Sequence, residues 1–182
     1  MDQARQGLLS PLLRQRRIRA ARPHLHGSVL DFGCGSGALA RFISPKSYVG
    51  VDRDPESIRI ARQRFPEHCF IGALPDGRRF DCVAALAIIE HLTQPADVME
   101  QLRCLLNPGG TVVLTTPHRA FDRLHTFSAL IGLLSPEAAD EHQHLFDRAR
   151  LAAVAASAGY EIRLYRRFLL GINQLCVMER SS

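Results

Sequence analysis

The stretch VLDFGCGSG, residues 29–37, decides the fold because it turns a short apolar strand directly into a glycine-rich loop. Glycines stand at alternate positions of this loop, and without a Cβ atom they permit both a tight turn and close approach of a ligand to the backbone. They are Gly33, Gly35 and Gly37. The next apolar run ends in Asp52, where a carboxylate can bind both hydroxyls of a ribose. The combination predicts a nucleotide-like site; the alternative is a turn that binds nothing, with Asp31 and Asp52 as strand-end caps.

Short apolar runs bounded by turn residues recur along the chain, as is typical of buried parallel strands. They are SVLDF (28–32), SYVGVD (47–52), CFIGA (69–73), FDCVAAL (80–86) and TVVLTT (111–116). Two further strands, YEIRLYRRF and INQLCVME, follow near the C-terminus with Gly171 at the turn between them.

Helical patterns alternate with these strands and carry start and stop signals. Asp54 is the expected N-cap of one helix, with Pro55 at the first helical position. Asp147 is the expected N-cap of the last helix, which Gly159 ends. The apolar faces are Ile58, Ala61 and Phe65, then Val98, Leu102 and Leu105, then Leu151, Val154 and Ala158. The alternation predicts an α/β fold with a doubly wound sheet that binds ligands at the carboxyl ends of its strands.

Composition restricts the class of protein. A chain of 182 residues with 46% hydrophobic residues predicts one domain, 1–182, with a proper core. The five cysteines form no CxxC pair, which argues against a disulfide framework or a zinc knuckle and favours the reducing cytoplasm. No apolar run is long enough to span a membrane, and the N-terminal residues lack the apolar core of a signal peptide. The net charge of +5 is concentrated at the N-terminus, because Asp2 is the only acid among the arginines of the first 22 residues.

Four blocks in order resemble the class I S-adenosylmethionine-dependent methyltransferases, and within them the small type 11 and ubiquinone-biosynthesis O-methyltransferase group. They are VLDFGCGSG, YVGVDRDPESIRIARQRF, FDCVAALAIIEHL and LLNPGGTVVLTTP. The resemblance covers nearly everything from residue 28 to 178. It implies a seven-stranded sheet of order 3-2-1-4-5-7-6 with the last strand antiparallel, flanked by helices, and S-adenosyl-L-methionine as cofactor.

The resemblance also implies which residues hold the cofactor. The backbone of the glycine turn would hold the methionine part, Asp31 would orient its ammonium, Asp52 would bind the ribose, and Arg53 would lie beside the adenine. The remaining cofactor residues so implied are Gly33, Cys34, Gly35, Ala73, Leu74 and Ala87. The chain departs from the family at Ala73, where family members often have an acid that accepts from the adenine amino group. Asp76 is the candidate substitute for this acid. The backbone at Ala73 and Leu74 can still bind the adenine edge.

Methyl transfer is an in-line displacement at the methyl carbon, with a neutral thioether as leaving group. It depends mainly on holding two reactants in line, with a base added where the acceptor proton has a high pKa. His91, just past the fourth strand, is the candidate base, and the alternative is a histidine that bonds the backbone of its own loop. The segment IIEH resembles metal-using methyltransferases that carry ExxEH, but Ala87 stands where the first acid would be. No metal is therefore expected, and the weaker alternative is a divalent ion on Glu90, His91 and His144.

The acceptor is expected at the segment of about 118–145, where this family inserts recognition elements. Its candidate contacts are His118, Phe121, His142 and His144. A basic N-terminal helix, about 10–22, with Ser10 as N-cap, would rim the same entrance with arginines. An apolar lid with a cationic rim suits a negatively charged amphiphile and peripheral contact with an anionic membrane. The alternative is a solvated arginine face and an apolar segment packed on the core.

The predicted function is methyl transfer from S-adenosylmethionine to a small-molecule or lipid-linked acceptor, at oxygen. Two alternatives stay open: a non-catalytic adaptor that binds the cofactor, and an RNA 2′-O-methyltransferase, suggested by the arginines and IIEH. Nucleic acid is disfavoured because the acceptor segment has no aromatic and basic groove for a single strand. A nicotinamide dehydrogenase is disfavoured because the glycine spacing is GxGxG and not GxGxxG.

Overall fold

The computed structural model describes residues 9–119 and 145–181, and side chains from residue 11 onward. Within these ranges one sheet has the order β3-β2-β1-β4-β5-β7-β6. Its strands are β1 (Val29–Phe32), β2 (Tyr48–Val51), β3 (Cys69–Ile71), β4 (Phe80–Leu86), β5 (Leu106–Pro117), β6 (Tyr160–Phe168) and β7 (Asn173–Arg180). Strands β1 to β5 pair in parallel, and β7 runs antiparallel to both β5 and β6. The predicted fold class, strand order and antiparallel last strand are confirmed.

Four α-helices flank the described part of the sheet: α1 (Leu9–Ala21), α2 (Pro55–Arg64), α3 (Pro95–Cys104) and α4 (Arg148–Ser157). Asp54 caps α2 by accepting from the backbone N–H groups of Glu56 and Ser57, and Asp147 caps α4 by accepting from that of Arg150. Both predicted caps are confirmed, because a carboxylate satisfies amides that have no partner in the first turn. No described helix has both the length and the apolar composition needed to cross a bilayer.

One detail of the helix predictions was wrong: the N-terminal helix includes Ser10, which therefore does not cap it. The buried residues of this helix are Ile18, Ala20 and Ala21, while Leu12 is exposed. In α3 the predicted face packs on the core, with Leu102 buried and Val98 and Leu105 half-buried, and Met99 is buried beside them.

The core lies on both faces of the sheet, because neighbouring residues of a strand point to opposite faces. Leu30 packs on the face that α3 and α4 cover, together with Met99 and Leu151. Val29 packs on the opposite face with Ile18 of α1. Strand β5 begins five residues earlier than the apolar run predicted: Leu106 pairs with Phe80, and residues 107–110 bulge out before Thr111 pairs with Cys82.

The carboxyl ends of the parallel strands form one edge of the sheet, called here the carboxyl edge. Asn173 at the start of β7 pairs with Pro117 at the end of β5 and with Phe168 at the end of β6. The turn of the β6–β7 hairpin therefore lies at the carboxyl edge as well. His118 extends β5 past this edge, and its backbone N–H donates to the carbonyl of Ile172 at 2.8 Å.

Candidate functional site

The glycine turn is tied to the end of β2. The backbone N–H groups of Gly33 and Cys34 both donate to the carbonyl of Val51, at 2.8 and 3.0 Å. The N–H of Gly35 donates to Oδ2 of Asp52 at 2.7 Å, and the N–H of Asp54 donates to Oδ1 of the same carboxylate at 2.9 Å. Asp52 is thus held at the point where the turn passes β2, with its oxygens beside the glycine backbone.

Each of the three glycines of the turn has positive φ: +74° at Gly33, +50° at Gly35 and +76° at Gly37. A Cβ at Gly33 would lie 2.9 Å from the side chain of Ile88, so this glycine is needed for the close packing of the turn on the end of β4. A Cβ at Gly35 would meet nothing within 4 Å. The backbone of Gly35 therefore borders open space beside Asp52, which is the arrangement that close approach of a ligand requires.

Ala87 stands at the end of β4 in a left-handed conformation, with φ +58°. Its N–H donates to the carbonyl of Thr115 at 2.7 Å, which holds this conformation against β5. A residue with a Cβ rarely adopts such a backbone, and strained residues of this kind cluster at functional sites. The strain lies at the carboxyl edge, next to the Ile88 side chain on which Gly33 packs.

Asp31 is buried beneath the glycine turn. Its Oδ2 accepts a hydrogen bond from the hydroxyl of Tyr48 at 2.7 Å, and its side chain is almost wholly removed from solvent. Burial raises the pKa of Asp31 to about 7, the Tyr48 hydrogen bond opposes this rise, and the charge of Asp52 adds to it. Burial raises the pKa of the nearby Cys34 thiol too, so Cys34 stays protonated and is unsuited to act as a nucleophile.

A cavity of about 520 Å³ lies beyond Asp52, against α2, and is lined in part by Arg53 and Gly72. It borders the adenine end expected from the sequence but none of the glycine turn. Arg62, also in its lining, donates from Nε and Nη2 to the carbonyl of Phe70 at 3.1 and 2.6 Å. Ala73 and Asp76 are exposed, and Leu74 is half-buried. The described lining of this cavity contains no carboxylate.

Glu90 and His91 lie in a single 3₁₀ turn, Ile89–His91, that follows β4. His91 is exposed at the carboxyl edge. Glu90 is buried, and its Oε2 accepts from the hydroxyl of Thr116 at 2.8 Å. Within the described ranges, no three His, Cys, Asp or Glu side chains are grouped so that they could hold a metal ion.

Arg17 of α1 reaches the same region. Its Nε donates to Oδ1 of the buried Asn173 at 2.9 Å. Burial lowers the pKa of Arg17, and the negative charge of Glu90 opposes that effect. Arg17, Glu90, Thr116 and Asn173 are called here the edge cluster, and they join α1 to the ends of β4, β5 and β7.

The candidate acceptor residues are only partly described. His118 is half-buried next to Ile172, and burial and the charge of Arg167 lower the pKa of its imidazole. Phe121, His142 and His144, like most of the segment 118–145, lie outside the described residues. The proposed set of Glu90, His91 and His144 therefore stays a prediction, as does the division of the chain into one domain with a basic helix and an acceptor segment.

The sequence did not indicate Tyr48 or the edge cluster as parts of the site. Tyr48 reads as one more apolar residue of β2, and Arg17 as one of several arginines on α1. Arg17 and Asn173 are 156 residues apart. No local pattern marks a contact of that separation, so only the folded chain brings these groups together.

The residues present fit S-adenosylmethionine at the glycine turn. Open space beside Gly35 admits a ligand to the backbone, and the Asp52 carboxylate beside it carries acceptor lone pairs beyond the two backbone bonds it already makes. Each carboxylate oxygen accepts more than one hydrogen bond, so ribose hydroxyls remain acceptable partners.

Comparison with known proteins gives relatives named as ubiquinone biosynthesis O-methyltransferases. The chain is 24% identical to a ubiquinone biosynthesis O-methyltransferase of Aeromonas salmonicida over 152 residues, 74% of this chain and 63% of that protein. It is 29% identical to the protein of that name from Pseudomonas paraeruginosa over 156 residues, 75% of this chain and 65% of that protein. The chain thus spans less than two thirds of the length of these relatives.

Solved structures share the fold. Magnesium protoporphyrin IX methyltransferase from Synechocystis PCC 6803, with bound SAH, superimposes with a TM-score of 0.71 at 17% identity, covering 93% of this chain and 84% of that one. An S-adenosylmethionine-dependent methyltransferase from Methanosarcina mazei superimposes with a TM-score of 0.68 at 18% identity, covering 88% and 96%. The family described as "Methyltransferase domain" matches residues 2–165. The chain therefore belongs to the methyltransferase domain family of S-adenosylmethionine-dependent enzymes, as the resemblance of its four sequence blocks had implied.

Proposed function

We propose that the protein transfers a methyl group from S-adenosylmethionine to an oxygen of a small-molecule or lipid-linked acceptor. The observation that carries the proposal is the hydrogen bond between the backbone N–H of Gly35 and the Asp52 carboxylate, beside open space at the carboxyl edge. The relatives named as O-methyltransferases of ubiquinone biosynthesis support oxygen as the accepting atom.

The glycine turn, Asp31 and Asp52 would hold the cofactor, with Arg53, Ala73 and Leu74 at its adenine end. When bound, S-adenosylmethionine supplies a methyl group already activated on a sulfonium. The remaining task of the chain is to hold the acceptor in line and to exclude water, which can account for about 7–11 kcal/mol of the barrier. The backbone strain at Ala87 is the kind of local conformation that such positioning uses.

His91 is the proposed base for an acceptor hydroxyl. It is exposed and ends the 3₁₀ turn that follows β4 at the carboxyl edge. Ile88, just before this turn, packs on Gly33 of the glycine turn. A neutral imidazole can take the hydroxyl proton on a ring nitrogen near neutral pH. His91→Ala should lower kcat, while His26→Ala, at an exposed histidine before β1, should leave kcat unchanged.

A metal-dependent version of the reaction is the second candidate, and Glu90 argues against it. A carboxylate that is buried and accepts from Thr116, in the field of Arg17, already has partners of its own. We therefore expect a chelator to leave turnover unchanged. Loss of turnover with chelator and recovery with Mg²⁺, Mn²⁺ or Zn²⁺ would contradict this expectation.

The decisive experiment combines calorimetry with mass spectrometry. The purified chain should bind S-adenosylmethionine and form the demethylated product in the presence of hydroxylated aromatic acceptors, with and without a prenyl tail. Binding of the donor without turnover on any acceptor would favour the adaptor. Turnover on RNA, with affinity that falls steeply with salt, would favour the RNA methyltransferase.

A further inference from the structure

The tip of the β6–β7 hairpin, residues 169–172, combines backbone strain with an exposed apolar side chain. Leu169 and Leu170 both have positive φ, +52° and +53°. The turn is closed by the N–H of Gly171, which donates to the carbonyl of Phe168 at 3.1 Å, and by Arg167, which donates to the carbonyl of Gly171 at 2.9 and 2.6 Å. Leu170 is fully exposed. Asn or Gly would fit this backbone with less strain, so folding alone does not account for leucine here.

The hairpin tip lies at the carboxyl edge, beside the residues proposed for the reaction. Asn173 pairs with Pro117, and Ile172 accepts from the backbone N–H of His118 at 2.8 Å. An exposed leucine anywhere on a protein is ordinary. Here, however, the exposed leucine lies on a strained turn at the edge where we place the entry of the acceptor.

Helix α1 carries a second apolar projection past the same edge. Arg17 bonds Asn173 at the edge, whereas Ala20 accepts from Arg166, whose partner in β7 is Leu175, further from the edge. The direction from Ala20 to Arg17 is therefore outward, and the residues before Arg17 extend beyond the sheet. Leu12 lies in this part of α1 and is 48% exposed.

Positive charge surrounds both projections. The sequence has no acid between Asp2 and Asp31 and none between Glu161 and Glu179, so α1 and the central part of the hairpin carry only cations. Exposed Arg16 flanks Leu12, and exposed Arg167 flanks the tip. Two described carboxylates of this region already have partners: the buried Glu90 accepts from the hydroxyl of Thr116, and Asp147 pairs with Arg119 at 2.9 Å.

We propose that the hairpin tip and the outer half of α1 form one docking surface for an anionic lipid bilayer, with Leu170 and Leu12 inserted among the headgroups. Apolar side chains set among arginines match the interface of such a bilayer, where acyl chains and anionic headgroups meet. The surface would place the proposed active site against the membrane, and in that sense it rests on the proposed function. Its test needs neither methyl donor nor acceptor, so the two proposals fail separately.

The chain contains no tryptophan, which allows a single reporter at the tip. In Leu170→Trp, addition of vesicles of phosphatidylglycerol and phosphatidylcholine should shift the emission to the blue and make it quenchable by brominated lipid. Vesicles of phosphatidylcholine alone should do neither. Phe42→Trp is the matched control, because Phe42 is also exposed and lies against two arginines, Arg22 and Arg41. Arg22 follows the inner end of α1, so Phe42 lies outside the proposed docking surface.

Loss-of-binding variants separate docking from folding. Leu170→Asn should keep or raise the melting temperature, because asparagine tolerates positive φ, yet weaken co-sedimentation with anionic vesicles about tenfold. Arg16→Glu should weaken it about tenfold as well, and Arg41→Glu near Phe42 should change it much less. An unshifted Leu170→Trp emission would overturn the proposal. So would a concentration-dependent dimer that Leu170→Asn dissolves, because the tip would then bind a second copy.

Discussion

Oδ2 of Asp52 accepts a hydrogen bond from the backbone N–H of Gly35 at 2.7 Å, so the acid that ends β2 and the turn that follows β1 form one unit. The same carboxylate accepts from the N–H of Asp54, which starts the capping of α2. A single side chain thus orders two loops at the carboxyl edge. Its loss would change both the proposed ribose contact and the shape of the turn.

Asp52→Ala should weaken binding of S-adenosylmethionine about a hundredfold, which is about 2–3 kcal/mol, because a carboxylate that accepts two hydroxyls is lost. Calorimetry measures this directly. Glu100→Ala, at an exposed acid of α3 outside the proposed site, serves as the comparison. Affinity equal to that of the unmodified chain in Asp52→Ala would remove the basis for the ribose assignment.

Ala73→Asp should tighten cofactor binding or leave it unchanged, because it adds an acceptor opposite the adenine amino group. The cavity next to this position has Arg53 and Gly72 in its lining and no described carboxylate, so a new acid meets no like charge there. If Asp76 already fills the role, Asp76→Ala should weaken binding instead. A large loss of affinity in Ala73→Asp would show that β3 and the adenine are not neighbours.

Asp31 should make the fold less stable as the pH rises from about 4 to about 7. Burial raises the pKa of Asp31 from 3.8 to about 7, so in this window the native state keeps a proton that the unfolded chain has released. The free energy of unfolding therefore falls with pH and levels off above 7. Denaturant unfolding at several pH values should show this slope, and Asp31→Asn should reduce it while Asp76→Asn should not.

Tyr48→Phe should destabilise the protein by about 1–3 kcal/mol, because it leaves the buried Asp31 carboxyl without its donor. The loss should be larger at pH 8 than at pH 5, since the ionised carboxylate needs the hydrogen bond more than the protonated acid does. Chemical denaturation of the variant at both pH values measures the difference. An equal loss at both would mean that Asp31 does not titrate in this range.

Arg17 and Glu90 should be energetically coupled by about 0.5–3 kcal/mol in a double-mutant cycle of Arg17→Met and Glu90→Gln. The expectation follows because burial lowers the pKa of the partly buried Arg17 and the charge of the buried Glu90 opposes this lowering. Arg16→Met, at the exposed neighbour, is the matched control and should not couple with Glu90→Gln. Hydrogen exchange in α1 should be faster in both single variants than in the unmodified chain. Additive effects on stability in the cycle would mean that other contacts hold α1.

The order of elements could be predicted because the signals that set it are local. Asp54 and Asp147 cap the helices where the sequence predicts, and Gly159 and Gly171 stand at their turns. The glycine turn and Asp52 are equally local, since each ends a short buried strand. The depth of burial along α1 and α3 could not be predicted, because only the neighbouring layer decides that Ile18 and Met99 are buried while Leu12 is exposed.

The sequence by itself determined the doubly wound sheet and the cofactor edge, because strand and helix periodicity and the glycine spacing are encoded within a few residues of each other. The family followed from the resemblance of four blocks in order along the chain. Only the tertiary structure decided what Glu90, Arg17 and Leu170 do. Glu90 is buried by β5, Arg17 meets Asn173 across 156 residues, and the antiparallel β7 brings Leu170 to the carboxyl edge. The burial and charge around a side chain depend on residues distant in sequence, so its chemistry is set when the layers pack.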